Sequence, residues 1–171
     1  MRARPAVVIW SVVMETFQRI LCPIDFSETS HIAFQHADRL AQASGAELLL
    51  LHAFEAPESY DMLGQTRPAD PTLRTQLEGL RSSSPQVKVG HAVHAGPPGE
   101  VICWFGEDQN CDLIVMGTHG RTGLKHLLMG SVAEHVLRHA RCPVLVVRLR
   151  PAQEPRLKEP VVLPPPPPRL M

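Results

Sequence analysis

The stretch DLIVMGTHGRTGLKHLLMGSVAEHVLRHA, residues 112–140, is the most informative part of the chain. It opens with the apolar run DLIVMG (112–117), which has the length and composition of a strand buried on both faces. It closes with a run, from about Ser131 to Ala140, in which apolar residues recur at helical spacing. Between the two, Met116–Ser131 holds four glycines and the basic residues Arg121 and Lys125. A strand, a glycine-rich turn and a helix in that order make up most of a βαβ unit, and a parallel sheet follows where the pattern repeats.

The pattern repeats along the chain. RILCPID (19–25) reads as a short apolar strand, and SETS after it offers hydroxyls for a helix N-cap. Ala33, Ala37, Leu40, Ala41 and Ser44 recur at three- and four-residue spacing, so residues 30–44 form an amphipathic helix that Gly45 is placed to end. AELLLLHAF (46–54) is a continuous apolar run suited to a central strand. The stretch 55–71, with three prolines and a glycine, reads as a loop, and 72–83 as a short helix. QVKVGHAVHAG (86–96) is a strand whose apolar members are Val87, Val89, Ala92 and Val93. Pro97, Pro98 and Gly99 break the chain before the helix GEVICWFGEDQN, and PVLVVRL (143–149) is the last strand. Strands alternating with helices in this way argue for an α/β fold: a parallel sheet with helices on both faces, joined by right-handed crossovers. Ligands of such sheets sit beyond the carboxyl ends of the strands, where strand order reverses. Two strand ends carry suitable chemistry: PIDFSETS after the first strand, and the glycine-rich stretch after the fourth.

Composition narrows the classes. With 171 residues the chain is long enough for one domain with a sizeable core, and 44% hydrophobic and 20% charged residues are ordinary for a globular protein. Lys+Arg and Asp+Glu both number 17, so no excess charge points to nucleic acid or an anionic membrane. Cys22, Cys103, Cys111 and Cys142 form no CxxC pair and read as reduced thiols of a cytoplasmic protein, most of them buried. The apolar N-terminal run AVVIWSVVM has nine residues, about half of what a bilayer core requires, and is followed at once by Glu15. Residues 1–13 therefore read as an N-terminal extension or a misplaced translation start, 14–149 as a single domain, and 150–171 as a disordered or polyproline II tail built around Pro164–Pro168. That tail is either a solvated end, the favoured reading, or a docking motif for an aromatic-grooved partner.

Spacing tests the glycines. A P-loop requires Gly-Lys-Ser/Thr, and none is present; a dinucleotide fingerprint requires glycines directly after the first strand, where Asp25-Phe26-Ser27 stands instead. What remains is Gly117-x2-Gly120, nine residues, then Gly130-Ser131. Gly130 at a helix start leaves free amides and partial positive charge open to a phosphate, with Arg121 and Lys125 nearby. Equally, Ser131-x-x-Glu134 has the form of a capping box, and Gly117 and Gly120 suit a turn. Spacing alone leaves both readings open.

The pattern Gly117-x2-Gly120-x9-Gly130-Ser131 resembles the ATP-binding signature of the universal stress protein family. ILCPIDFSETS is similar to that family's opening strand and turn, and LLLLHAF to its second strand. Gly96-x-Pro98-x3-Ile102 is similar to its third strand-to-helix junction, and CPVLVVR to its closing strand. Each piece is weak alone, but five in register cover residues 19–148. The resemblance implies an open five-stranded, Rossmann-like parallel sheet of order 3-2-1-4-5, with ATP between the first and fourth strand ends. Pro23 and Asp25 would then lie against the nucleoside, Asp25 close to the ribose or to a magnesium ion carried with the phosphates. Ala53 would meet adenine through its backbone, and Gly117, Gly120, Gly130, Ser131 and Val132 would wrap the phosphates and ribose. It also implies a homodimer through the 143–149 edge strand. The expected role is a cytoplasmic stress-response regulator or sensor whose nucleotide state an unidentified protein partner reads. The alternatives are a slow ATP hydrolase of the same fold, or an adaptor working through its dimer surface and proline tail.

Other residues take plainer readings. His135 and His139 share a helix face, but nothing is spaced to complete a metal site, so both read as surface residues. His119 and His126 read as solvated loop residues, and Cys22 as a small buried apolar residue. Ser27 and Ser131 read as helix caps rather than nucleophiles, and no general base stands out.

Overall fold

A computed structural model describes residues 17–55, 71–118 and 129–148. The N-terminal extension, the proline-rich tail, and Gly120 with Arg121 and Lys125 lie outside the described residues. The elements run β1 (Arg19–Pro23), α1 (Glu28–Ser44), β2 (Glu47–Phe54), α2 (Pro71–Gly79), β3 (Val89–Ala95), α3 (Pro98–Asp108), β4 (Leu113–Gly117), α4 (Ser131–His139) and β5 (Val144–Val147). All five strands pair in parallel in the order β3-β2-β1-β4-β5. The order expected from the sequence therefore holds, and it reverses between β1 and β4.

Strand alternation explains why these runs are apolar throughout. Ile20 and Cys22 of β1, Leu48 and Leu50 of β2 and Val115 of β4 face one side. There they meet Ala33, Ala37 and Ala41 of α1 and Leu77 of α2. Their neighbours Leu21, Leu49, Leu51, Ile114 and Met116 face the other side, against α3 and α4. The three alanines of α1, spaced four apart and fully buried, let the helix lie close to the sheet. Ser27 caps α1 in an extended conformation, its Oγ accepting from the Ser30 amide at 3.2 Å. Gly45 ends it at φ 76°, with its amide donating to Ala41 O at 2.8 Å. An added Cβ there would meet nothing, so the left-handed backbone alone calls for glycine.

Element bounds differ from the sequence reading where hydrogen bonds stop before the apolar pattern does. The α2 helix ends at Gly79 rather than 83, and β3 begins at Val89 rather than 86. The intervening serines serve a different purpose. Asp38, a buried carboxylate of α1, accepts from the Ser83 amide (3.1 Å), Ser83 Oγ (2.7 Å), Gln42 Nε2 (2.9 Å) and Ser82 Oγ. It thereby fastens the α2–β3 connection to α1. Burial pushes its carboxyl up, but these hydrogen bonds together outweigh burial and hold it below the usual carboxylate range. At the amino end of the sheet Glu47 of β2 pairs with Arg19 of β1 (3.1 Å) and with Lys88, just before β3 (2.7 Å).

Candidate functional site

The carboxyl ends of β1, β2 and β4 and the starts of α3 and α4 enclose a cavity of about 560 Å³. Its place, at the reversal of strand order, is where an open parallel sheet leaves a crevice because neighbouring crossovers depart to opposite faces. Pro23, Asp25, Ala53, Gly117, Gly130, Ser131 and Val132 all line it. Of the eight residues singled out in the sequence, only Gly120 lies outside the described residues.

The β1 side is built around a strained turn. Ile24 continues the ladder by donating to Leu51 O at 2.8 Å, and Phe26 then takes a left-handed φ of 64°. Asp25 sits between them. Its Oδ1 accepts from the Ser27 amide (3.0 Å) and Ser27 Oγ (2.5 Å), and its Oδ2 takes no hydrogen bond among the described residues. The sequence reading missed what supports this turn from β2. His52, 5% exposed, donates from Nδ1 to the Ile24 carbonyl at 2.7 Å. Its ring lies 5.0 Å from that of Phe26 and stacks on that of Phe54. A carbonyl only accepts, so Nδ1 carries the proton shared with it. A histidine inside an otherwise aliphatic strand was the available signal.

The β4 side closes on itself. Thr118, 3% exposed, donates its amide to Val147 O (3.0 Å) and accepts from the Gly130 amide at 2.7 Å. The residues that flank the glycine-rich stretch are thus hydrogen-bonded to each other.

Two of the glycines turn out to have different reasons. A Cβ on Gly117 would lie 2.9 Å from Thr29 Cβ and 3.0 Å from the Thr29 carbonyl carbon, so close approach of the first turn of α1 demands glycine there. Gly130 has ordinary extended torsions, φ −78° and ψ 155°.

The capping box does not form as the sequence suggested. Gly130, not Ser131, is the N-cap: its carbonyl accepts from the Glu134 amide at 3.0 Å, and Ser131 is the first helical residue. Gly130 brings no side chain to cap α4, and the first residues of the helix, Ser131, Val132 and Ala133, border the cavity. First-turn amides, which have no partner within the helix itself, and the positive end of the helix dipole therefore lie at the cavity wall.

The remaining wall is mixed. Ala53, Ile102, Met116 and Val132 give it an apolar side. The charged residues that line it are Asp25 and Glu55; no Lys or Arg does so among the described residues. An anion bound here would rely on the α4 amides and on cations brought from elsewhere. The residues fit an adenine nucleotide in kind: apolar surface for a base, a carboxylate, and an uncapped helix start for phosphate.

All four cysteines are free. Cys22 and Cys111 are buried, whereas Cys103 and Cys142 are only partly so, fewer than the sequence suggested. Burial pushes the Cys22 thiol up, in keeping with an inert residue, and that of Cys111 up to about 12. No group of three or more potential metal ligands occurs among the described residues, and none of their helices is long and apolar enough to cross a membrane.

Comparison with known proteins agrees with the architecture. The family model described as "Universal stress protein family" matches residues 16–148. The universal stress protein MJ0577 of Methanocaldococcus jannaschii is 31% identical over 154 residues, covering 77% of this chain and 95% of that protein. Its solved structure superposes with a TM-score of 0.62 at 31% identity, over 80% of this chain and 99% of the other. A universal stress protein crystallised in complex with cAMP shares the fold, with a TM-score of 0.60 at 22% identity, over 78% of this chain and 98% of that one. On this sequence and structural agreement, the chain belongs to the universal stress protein family.

Proposed function

We propose that the chain is an ATP-binding universal stress protein, a cytoplasmic stress-response regulator or sensor that works as a nucleotide-dependent homodimer. The observation that carries this reading is the bare N-terminus of α4: Gly130 provides no side-chain cap where the helix borders a nucleotide-sized cavity. A cavity of this volume lies inside the range of about 300–1,000 Å³ usual for small-molecule sites. ATP brings a planar base and a charged triphosphate. Ala53, on the apolar side, suits the base through its backbone, and Pro23 the nucleoside. Gly130, Ser131 and Val132 suit the phosphates, with Gly117 and Gly120 flanking them. Asp25, whose Oδ2 takes no hydrogen bond among the described residues, suits the ribose or a magnesium ion that would offset the carboxylates of the wall. The fold admits such ligands, since a protein sharing it has been solved with cAMP.

Dimerisation through β5 is supported by its place at the edge of the sheet and by Leu145, which is 40% exposed. Four free thiols suit a reducing cytoplasm. Equilibrium dialysis with labelled ATP and Mg²⁺ tests the reading. Saturable binding at one nucleotide per chain is expected, and its absence at millimolar ATP sinks the proposal.

A further inference from the structure

Trp104, on α3, is 51% exposed, the most open large apolar side chain among the described residues. It is nevertheless held in place. Its ring meets His94 of β3 edge-on with centroids 5.2 Å apart, and lies 6.2 Å from the buried Phe105. The inner side of α3 is Val101, Ile102, Phe105 and Gly106. On the outer side Glu100, Trp104, Glu107 and Asp108 recur at i, i+4, i+7 and i+8, so they form one exposed stripe. Glu107 is paired with Arg141 at 2.8 Å. Glu100 has no ion-pair partner among the described residues, and Asp108 has only a hydrogen bond from Gln109 Nε2 at 2.8 Å. A propped indole between Glu100 and Asp108, neither of them ion-paired among the described residues, suits an extended proline-rich segment that ends in a cation. Pyrrolidine rings pack on the aromatic face, and the carboxylates take the guanidinium.

The chain carries such a segment. Pro164, Pro167 and Arg169 set out Pro-x-x-Pro-x-Arg within the five-proline run. We propose that Pro164–Arg169 of this chain docks in cis on the Glu100–Trp104–Asp108 stripe of α3, Arg169 against the carboxylates. Reach allows it. From β5 to β3 the sheet spans four strand spacings, about 19 Å, and the helix layer adds about 10 Å. The sixteen-residue step from Arg148 to Pro164 covers roughly 50 Å when extended as polyproline II. Tethering also supplies an effective concentration on the order of millimolar, so a weak contact is enough to keep the segment seated. The surface is separate from the nucleotide cavity, and the inference stands whether or not ATP binds.

Tryptophan accessibility in the full chain provides the test. Trp10 is the other tryptophan, and Trp10→Phe leaves Trp104 as the sole reporter. In that background, Pro164→Ser with Pro167→Ser and Arg169→Glu is expected to raise acrylamide quenching of Trp104 about twofold and to shift its emission to the red, as the ring loses its cover. Equal quenching with and without the tail substitutions would overturn the proposal. Arg169→Glu alone should expose the ring, and adding Glu100→Lys with Asp108→Lys should restore protection; failure to restore counts against the charge pairing. Protection that grows with protein concentration would seat the tail on a second copy and overturn docking in cis.

Discussion

Of the helices that begin beside the cavity, α1 and α4 begin differently. α1 starts at Ser27, whose hydroxyl accepts from the Ser30 amide and is itself tied to Asp25. α4 starts at Gly130, with no side chain to cap it. Both follow strands that flank the reversal of sheet order, and both carry the same partial positive charge at their start. One helix has a first-turn amide taken by its cap residue, and the cap residue of the other has no side chain to do the same. A fold that repeats one βαβ plan thus differs between repeats at a single cap residue, and on the proposed function that difference separates structural work from ligand work.

The strongest way to break this contrast is to give α4 a cap. Gly130→Asp suits the extended torsions found there and supplies a carboxylate to the orphan amides. It should lower ATP affinity by about 100-fold or more, since the built-in anion occupies the phosphate position, while thermal stability holds or rises by a few tenths of a kcal/mol. Unchanged affinity by calorimetric titration would remove Gly130 from the site. Gly117→Ala probes the other kind of glycine. Its Cβ would press on Thr29, so it should cost about 1–3 kcal/mol in chemical denaturation. No loss of stability would mean that the first turn of α1 yields easily. Ser27→Ala uncaps α1 and should cost about 1 kcal/mol, with ATP affinity falling only through the loosened Asp25 turn. A larger effect on binding than on stability would blur the division between the two helices.

The smallest effect concerns pH, through Asp38. Its carboxyl is held below its unfolded value, so its contribution is complete above about pH 4 and is lost as pH falls through the lower folded value. Asp38→Asn should flatten the acid limb of stability measured between pH 5 and 2, and an unchanged limb would argue against the Ser82–Ser83 anchor.

Strand runs and the place of the crevice were legible because burial on two faces leaves an unmistakable apolar pattern, as in Leu48–Leu51. The resemblance carried the strand order further than periodicity did. What stayed hidden was set by contacts between distant residues. Nothing in the sequence singles out Asp38, because its serine partners lie more than forty residues away. His52 gave little away until the Ile24 carbonyl was seen against it. Ser131-x-x-Glu134 misled by one position, because capping follows backbone torsion and Gly130 is the residue in the extended conformation. Gly117 and Gly130 looked alike as letters, and only the position of Thr29 separates them.

The hydrogen bond between Thr118 and Gly130 has a consequence for protein engineering. It ties together the two ends of the intervening segment through backbone groups alone. Closure entropy grows slowly, by only about 0.6 kcal/mol for each doubling of length. Segments of other lengths between Thr118 and Gly130 are therefore expected to cost little stability, a point that loop-length variants check by chemical denaturation.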